Sequence, residues 1–471
     1  MINLRPYQAE GLDQIRAAFK AGERSVLYVL PTGGGKTVMF ASMARGAASL
    51  KNRVLVLVHR REIHEQTLSA LFRLGVTAGQ IVASQRITQD SVQVGMVQTV
   101  IRRLEQMRRP DLIIIDEAHH TTADNSYGQI LRFWRDVPRA GFSATPERLD
   151  GRGLGEGFKS MILGPSIREL VASGYLAPPV LYRPPNELLV NYHVKRGDFD
   201  TGEQERHMSR RRIVGDVIDH YKQHLDGLPV VVFSVSVMHS RLMAAEFKAA
   251  GYEARVVWGN MDKREREAAI YGLADGSVQV VCSCDVISEG VDVPVMAGAI
   301  LLRRTQSLGL YLQQAGRALR LSEGKSRALI LDHAGNYQIH GHVIADRYWS
   351  LDARARRERG EEPPTTTTCP ACYGVWPGRP RYCPACGFDF VEMREMTAER
   401  RKIDVIAGEL VKAGLQGEEA DDMAAMYAEA MKKPAAERAR MLAKRGVEEL
   451  AKRAWVDLSP TGEAWKWRQG R

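Results

Sequence analysis

Three clusters of residues in this chain have the types and spacing to do chemistry together. The first is Pro31-Thr-Gly-Gly-Gly-Lys-Thr37, which follows the apolar run Ser25–Leu30 and precedes a helical pattern. Glycines there let backbone N–H groups face a phosphate chain, and the following helix N-terminus favours negative charge. Thr32, Gly33, Gly34 and Gly35 are therefore candidate phosphate contacts. Lys36 would reach the β- and γ-phosphates of ATP, and Thr37 would hold Mg²⁺. The phosphate-loop pattern has a glycine where this chain has Leu30, so the strand–loop–helix context carries the assignment. The second cluster is Leu112-Ile-Ile-Ile-Asp-Glu-Ala-His119, an apolar strand ending in two acids. A buried strand delivers such acids to the sheet edge where ligands bind. Asp116 can hold Mg²⁺ through water, and Glu117 can orient and deprotonate an attacking water. His119 can link these acids to Ser143-Ala-Thr145 by hydrogen bonds, whereas His120 reads as structural. The third cluster is Cys369-Pro-Ala-Cys372 with Cys383-Pro-Ala-Cys386. Two thiolate pairs on tight turns make a four-sulfur zinc site, with iron as the alternative metal.

The chain that must position these groups has 471 residues, enough for two or three domains at roughly 100–200 residues each. Its apolar share of 44% and charged share of 26% exclude a disordered chain, a collagen-like fibre and a disulfide-dense mini-protein. Apolar runs such as Leu112–Ile115 and Val230–Phe233 fall far short of the ~20 residues that span a bilayer, so no membrane partner is expected. Met1-Ile-Asn-Leu-Arg-Pro-Tyr-Gln8 lacks a basic region followed by an apolar stretch, and a cytoplasmic location is expected. The net charge of +10 favours a polyanionic partner, most simply nucleic acid.

Short β-branched runs alternate with helical patterns. Strands are expected at Ser25–Leu30, Val54–His59, Val92–Val97, Leu112–Asp116 and Ala140–Ser143. After a break they recur at Pro229–Ser234, Glu253–Trp258, Val278–Ser283, Ala299–Arg303 and Ala328–Asp332. Continuous apolar strands separated by helices imply parallel sheets covered on both faces, and the doubling implies two α/β domains. Proline pairs at Pro178-Pro179 and Pro184-Pro185 mark the break between them.

Asp116-Glu-Ala-His119 with Ser143-Ala-Thr-Pro146 resembles the DEAH-box group of superfamily 2 helicases and translocases. The remaining motifs of that family occur in order. Leu4-Arg-Pro-Tyr-Gln8 resembles the adenine-reading Q motif, which implies that Gln8 pairs with the base and that Arg5 or Tyr7 stacks on it. Val56-Leu-Val-His59-Arg60 resembles motif Ia and Gly95-Met-Val-Gln-Thr99 a neighbouring strand-contacting motif, which implies nucleic-acid contacts at His59, Arg60 and Thr99. Val231-Val-Phe-Ser234 resembles motif IV. Ile287-Ser-Glu-Gly-Val-Asp292 resembles motif V, whose Gly290 offers backbone and whose Asp292 binds the ribose. Gln313-Gln-Ala-Gly-Arg317-Ala-Leu-Arg320 matches motif VI, and Gln313 joins the catalytic set there. Arg317 and Arg320 are three apart, expected on one helix face, from which they reach the γ-phosphate and stabilise transition-state charge. The fuller Gly141-Phe-Ser-Ala-Thr-Pro-Glu-Arg148 run is most similar to double-stranded-DNA repair and restriction motors.

The resemblance implies an α/β fold of two tandem RecA-like parallel-sheet domains, at 1–165 and 207–345, with linkers at 166–206 and 346–368. A zinc ribbon at 369–390 and a helical extension at 391–471 follow. Tyr373, Trp376, Arg379, Arg381 and Tyr382 suit either nucleic-acid stacking or the small core of the ribbon. The ribbon is expected to fold apart from the motor domains. The extension swings from 5 basic and 10 acidic residues over 391–430 to 11 and 5 over 431–471. Trp455, Trp465 and Trp467 near its end can grip DNA or a protein partner; helices packed on the motor are the simpler reading, with Met423, Met426, Tyr427 and Met431 as core. The expected function is a DNA-dependent ATPase, a helicase or duplex translocase using ATP, Mg²⁺ and Zn²⁺ on duplex or branched DNA. An RNA helicase and an ATP-gated binding clamp are the alternatives; intact Glu117 and Arg317 argue against an inert clamp.

Overall fold

The computed structural model describes residues 3–148, 153–184, 191–195, 197–284, 295–352 and 363–391, with positions 421, 425, 426, 429, 432 and 433. Two compact units are present, Met1–Arg379 and Pro380–Arg471. The first lobe runs α1 (Pro6–Lys20), β1 (Ser25–Val29), α2 (Lys36–Ser49), β2 (Val54–Val58), α3 (Arg61–Arg73), β3 (Ala78–Ile81), β4 (Val92–Met96), α4 (Val97–Val100), β5 (Leu112–Ile115), α5 (Ser126–Phe133), β6 (Arg139–Ser143) and β7 (Ser160–Leu163). Then come α6 (Ile167–Ala172), β8 (Pro179–Tyr182), β9 (Val194–Lys195), β10 (Asp198–Phe199) and α7 (Thr201–Met208). The second lobe runs α8 (Arg211–Leu225), β11 (Val230–Phe233), α9 (Val237–Ala249), β12 (Ala254–Trp258), α10 (Lys263–Asp275), β13 (Val280–Cys284), β14 (Gly298–Leu301), α11 (Leu308–Ala318), β15 (Ala328–Asp332), α12 (Asn336–His340), β16 (Thr366–Thr368) and β17 (Gly374–Pro377).

The first sheet has the order β3-β4-β2-β5-β6-β1-β7, every pair parallel. Its inner strands β1, β2 and β5 are buried along their whole length, as Val, Ile and Leu runs covered on both faces must be. The second sheet has the order β12-β13-β11-β14-β15-β8-β17-β16. It is parallel from β12 to β8 and then antiparallel. The two parallel α/β sheets expected from the alternation of strands and helices are thus present, with strand ends shifted by one or two residues. Among the described residues no helix is long and apolar enough to cross a membrane.

Two stretches expected to be linkers contribute to the second sheet. Within 166–206, β8 pairs in parallel with β15, and Leu170, Leu176, Ala177 and Leu181 are buried in a core that runs continuously from one lobe to the other. The first part of the expected ribbon, up to Pro377, is built into the motor's sheet. Its strand β17 pairs with β8, Gly374 opposite Tyr182 and Val375 opposite Leu181, and Val375 is fully buried in the same core. The reason is edge completion: without β17, β8 would present unpaired backbone groups at the sheet margin. Of the linker at 346–368, residues 353–362 lie outside the described residues, as do Gly290 and Asp292 of motif V. The helical extension, with Met423, Tyr427, Met431, Trp455, Trp465 and Trp467, also lies outside them apart from isolated positions.

Close packing behind the acidic box is sharpest at Gly141 on β6. A Cβ there would stand 2.4 Å from the Phe158 ring and 2.9 Å from Ala118. Phe158 and Ala118 are fully buried, so neither can swing into solvent. Gly141→Ala is expected to destabilise the chain by about 1–3 kcal/mol through overpacking. Urea denaturation measures this, and an unchanged midpoint would refute the steric account.

Candidate active site

Parallel strands bring their C-terminal ends to one edge of a sheet, so the loops after β1, β2, β4, β5 and β6 lie together. The loop after β1 enters α2 through Gly35, whose φ of +86° an L-residue rarely adopts. A side chain at Gly35 would also meet Gln8, whose Nε2 would stand 2.4 Å from its Cβ. Gln8 is buried and uses both ends of its amide locally. Its Oε1 accepts the Arg5 N–H at 2.9 Å, and its Nε2 donates to the Gly34 carbonyl at 3.1 Å. Tyr7 Oη donates to the same carbonyl at 2.7 Å. The Q-motif residues therefore brace the phosphate loop from behind. Arg5 faces the cavity, its guanidinium 4.8 Å from the ring centre of Tyr175, which packs edge-on to Tyr7.

That cavity holds about 380 Å³. Thr32, Gly33, Gly35, Lys36 and Thr37 line one side, Asp116 and Glu117 the floor, and Arg317 and Arg320 the side belonging to the second lobe. A second cavity of about 510 Å³ lies behind Pro31 and Thr32, against Arg347 and Trp349, and contains none of the acidic box. Asp116 and Glu117 are buried, at 5% and 8% exposure. Glu117 has φ of +46°, left-handed backbone that a non-glycine residue holds only under strain of roughly 1–3 kcal/mol. Its own N–H is fixed by Asp116 Oδ1 at 2.9 Å. His119 Nδ1 stands 3.4 Å from Glu117 Oε2 and 3.1 Å from Ser143 Oγ, and Ser143 Oγ donates to the Thr145 carbonyl at 2.6 Å. The acidic box and the Ser-Ala-Thr run are thus joined through one imidazole.

Arg317 and Arg320 reach the cavity together, but not from one helix face. α11 ends at Ala318, and Arg320 lies beyond it on the following turn. The turn is held from outside the motif. Lys325 Nζ donates to the carbonyls of Ala318, Arg320 and Met296, and Ala177 N–H donates to the Leu319 carbonyl at 2.8 Å. These bonds satisfy the open carbonyls of a helix end. Burial, with the Arg320 charge second, pushes the Lys325 pKa down to about 8. At the other end of the contact, Gly316 lets α11 close on the phosphate loop, where a Cβ would sit 2.9 Å from Thr32 Cβ. Gln313 is buried on α11 and does not line the cavity. Tyr175 and Lys325 belong to no motif, and no spacing in the sequence marks them.

His59 and Arg60 follow β2, and Thr99 lies in α4 after β4; β2 and β4 are neighbours, so all three sit at the same sheet edge. The sulfurs of Cys369, Cys372, Cys383 and Cys386 all lie within 4.8 Å of one another. A tetrahedral zinc with Zn–S of ~2.3 Å needs sulfurs ~3.8 Å apart, so the donor set fits. The two knuckles close alike. Tyr373 N–H donates to Cys369 O at 2.9 Å and Gly387 N–H to Cys383 O at 2.8 Å, each from a residue with positive φ. The ribbon aromatics divide between roles: Tyr373 lies beneath Arg183, whereas Tyr382 is 50% exposed with Arg381 across its ring.

Residues 1–148 match the family described as type III restriction enzyme, res subunit, and residues 211–322 match the helicase conserved C-terminal domain. The chain is 32% identical over 392 residues to a 51.5 kDa protein of a Lactococcus phage (isolate 7-9), covering 82% of this chain and 84% of that one. It is 25% identical to the DNA 3'-5' translocase XPB2 of Sulfurisphaera tokodaii, over 70% of this chain and 81% of the relative. It spans 51% and 57% of the length of two longer yeast relatives. A DNA-bound structure of the ATP-dependent Type ISP restriction-modification enzyme LlaBIII shares the fold, at 16% identity and TM-score 0.53, over 70% of this chain and 27% of that one. Both halves of the cleft fall inside matched regions, and the chain belongs to the superfamily 2 helicases and translocases, an ATP-hydrolysing enzyme family.

Proposed function

We propose that this chain is a DNA-stimulated ATPase that translocates along or remodels duplex DNA. One observation carries the reading: groups from both lobes, Lys36 and Thr37 on one side and Arg317 and Arg320 on the other, line the same cavity as Asp116 and Glu117. Mg²⁺, when bound, would neutralise negative charge on the phosphates. Thr37 and Asp116 would hold it, Lys36 would engage the phosphates, and Glu117 would take a proton from the attacking water. Arg317 and Arg320 would stabilise charge on the transferring group, which makes turnover depend on how the lobes close. DNA rather than RNA is supported by the restriction-subunit match and by the DNA translocase among the relatives, and the net charge of +10 suits a polyanionic partner of either kind.

ATP hydrolysis measured in parallel with no nucleic acid, duplex DNA, single-stranded DNA and RNA tests this. Duplex DNA should stimulate most, and the stimulation should fall steeply with salt as phosphate contacts release counterions. Stimulation by RNA alone would overturn the DNA assignment. Glu117→Gln should retain ATP binding and lose turnover by about 10²–10⁴-fold, the usual worth of a general base. Near-normal hydrolysis by this variant would remove Glu117 from that role.

The four cysteines would hold one zinc ion whose binding energy folds the knuckles. Because β17 is hydrogen-bonded to β8, metal loss should also reach the second lobe. Replacing Cys383 and Cys386 by serine is expected to abolish zinc at one ion per chain and to lower the thermal midpoint of the whole motor. Wild-type protein without zinc on metal analysis would discard the site. An unchanged midpoint would show that the β8–β17 pairing stands without it.

A further inference from the structure

His120 follows the acidic box and has no part in the chemistry described above. Its backbone is nonetheless fixed on both sides. It ends a single 3₁₀ turn, Ala118–His120, with its N–H donating to the Glu117 carbonyl at 3.0 Å. Its carbonyl accepts from Asn125 Nδ2 at 2.7 Å, and Asn125 in turn caps α5 by accepting from Gly128 N–H at 3.2 Å. The ring so placed lies between two others. The His119 and His120 ring centres are 4.2 Å apart, and those of His120 and His59 are 4.3 Å apart. Arg60 Nε stands 3.3 Å from His59 Nε2. A continuous run of side chains therefore leads from Arg60 and His59, at the end of β2, through His120 to His119, and from His119 Nδ1 to Glu117 Oε2 at 3.4 Å.

We propose that His120 is a positioning residue that transmits nucleic-acid contact at His59 and Arg60 to the carboxylate of Glu117. The inference rests on the DNA-stimulated ATPase reading given above. Rings in van der Waals contact cannot move independently, so displacement of His59 on engaging a phosphate backbone must displace His120 and then His119. Glu117 is poised to respond. Its left-handed backbone is strained, and a strained residue is re-aimed by small changes in its support. A ring that merely fills space would make the same contacts without carrying coupling, and the following experiment separates the two.

Full-length wild type, His120→Ala and His120→Phe are compared for ATPase rate without nucleic acid, ATPase rate with saturating linear duplex DNA, and duplex affinity by fluorescence anisotropy. In His120→Ala the basal rate and the duplex affinity should stay at wild-type values. The stimulation factor should fall by about ten-fold, inside the roughly 5–150-fold range of coupled sites. His120→Phe keeps a ring in the stack and should restore most of the stimulation. Full stimulation in His120→Ala overturns the proposal. Equal loss in both variants also overturns it, because stacking would not be the carrier. A parallel fall in basal and stimulated rates in both variants assigns His120 to the fold alone and overturns it too. Wild type that duplex DNA fails to stimulate overturns the DNA reading itself, and the coupling with it; that result is distinguishable because it appears before any substitution.

Discussion

A cleft that gathers charge from two separate sheets depends on the contact that holds α11 against the phosphate loop. Gly316 makes that contact possible, since any side chain there would strike Thr32. The helix must then stop at once so that Arg320 can turn toward the cavity, and a helix that stops leaves carbonyls open. Lys325 and the Ala177 N–H fill that need from outside the motif. The solution has a thermodynamic cost. Lys325 holds its proton less tightly in the fold, near pH 8, than its ordinary value of 10.5. A folded pKa below the unfolded one makes the buried charge a penalty below pH 8, relieved as pH rises toward 10.5. Burial of the ammonium is thus tolerated because it fixes the arginines.

The same contact draws in the start of the connection between the lobes, whose Leu170, Leu176, Ala177 and Leu181 are buried. Leu176 and Ala177 lie where the first lobe's core passes into the second, and Ala177 also caps α11. Immediately before Leu176, Tyr175 closes the cavity beside Arg5. The connection between the lobes therefore lines the same cavity as the phosphate loop, and β8 continues from it into the second sheet. β17 then covers β8, so the first cysteine knuckle is anchored to the motor by backbone hydrogen bonds.

Most of the sheet architecture and the polar floor of the cavity were legible in the sequence, for physical reasons that particular residues illustrate. Val54–Val58 and Leu112–Ile115 are too apolar and β-branched to be anything but doubly covered strands. Gly35 and Lys36 announce a loop that must turn left-handed into a helix. What escaped reading depends on partners distant in the chain. β3, with Ala78, Gly79 and Gln80, has no strand composition and exists because β4 offers it an edge. β8 lies within the proline-marked break and β17 between cysteine knuckles, and each is a strand because distant partners, β15 for β8 and β8 for β17, offer it an edge. Tyr175 and Lys325 act through contacts with residues far away in sequence, which no local spacing encodes. Arg320 was placed on the helix by its i+3 spacing from Arg317; the spacing holds, but the early stop of α11 does not follow from it.

The lobes also meet across α3 and α10, where Arg266 and Glu62 pair at 2.6 Å. The two contacts differ in kind. The ion pair is mostly buried, with 13% and 27% of its side chains exposed, so the attraction between its charges is offset by the cost of taking them out of water. The contact at α11 is backed by Leu312, Ala315 and Leu319 in a core shared by both lobes, where each buried aliphatic side chain contributes roughly 1.5–3 kcal/mol. The apolar contact at α11 therefore contributes more to holding the lobes together than the Glu62–Arg266 pair does. Of the two contacts, the one at α11 lies beside Arg317 and Arg320, whereas the ion pair lies at α3, the helix that begins immediately after His59 and Arg60.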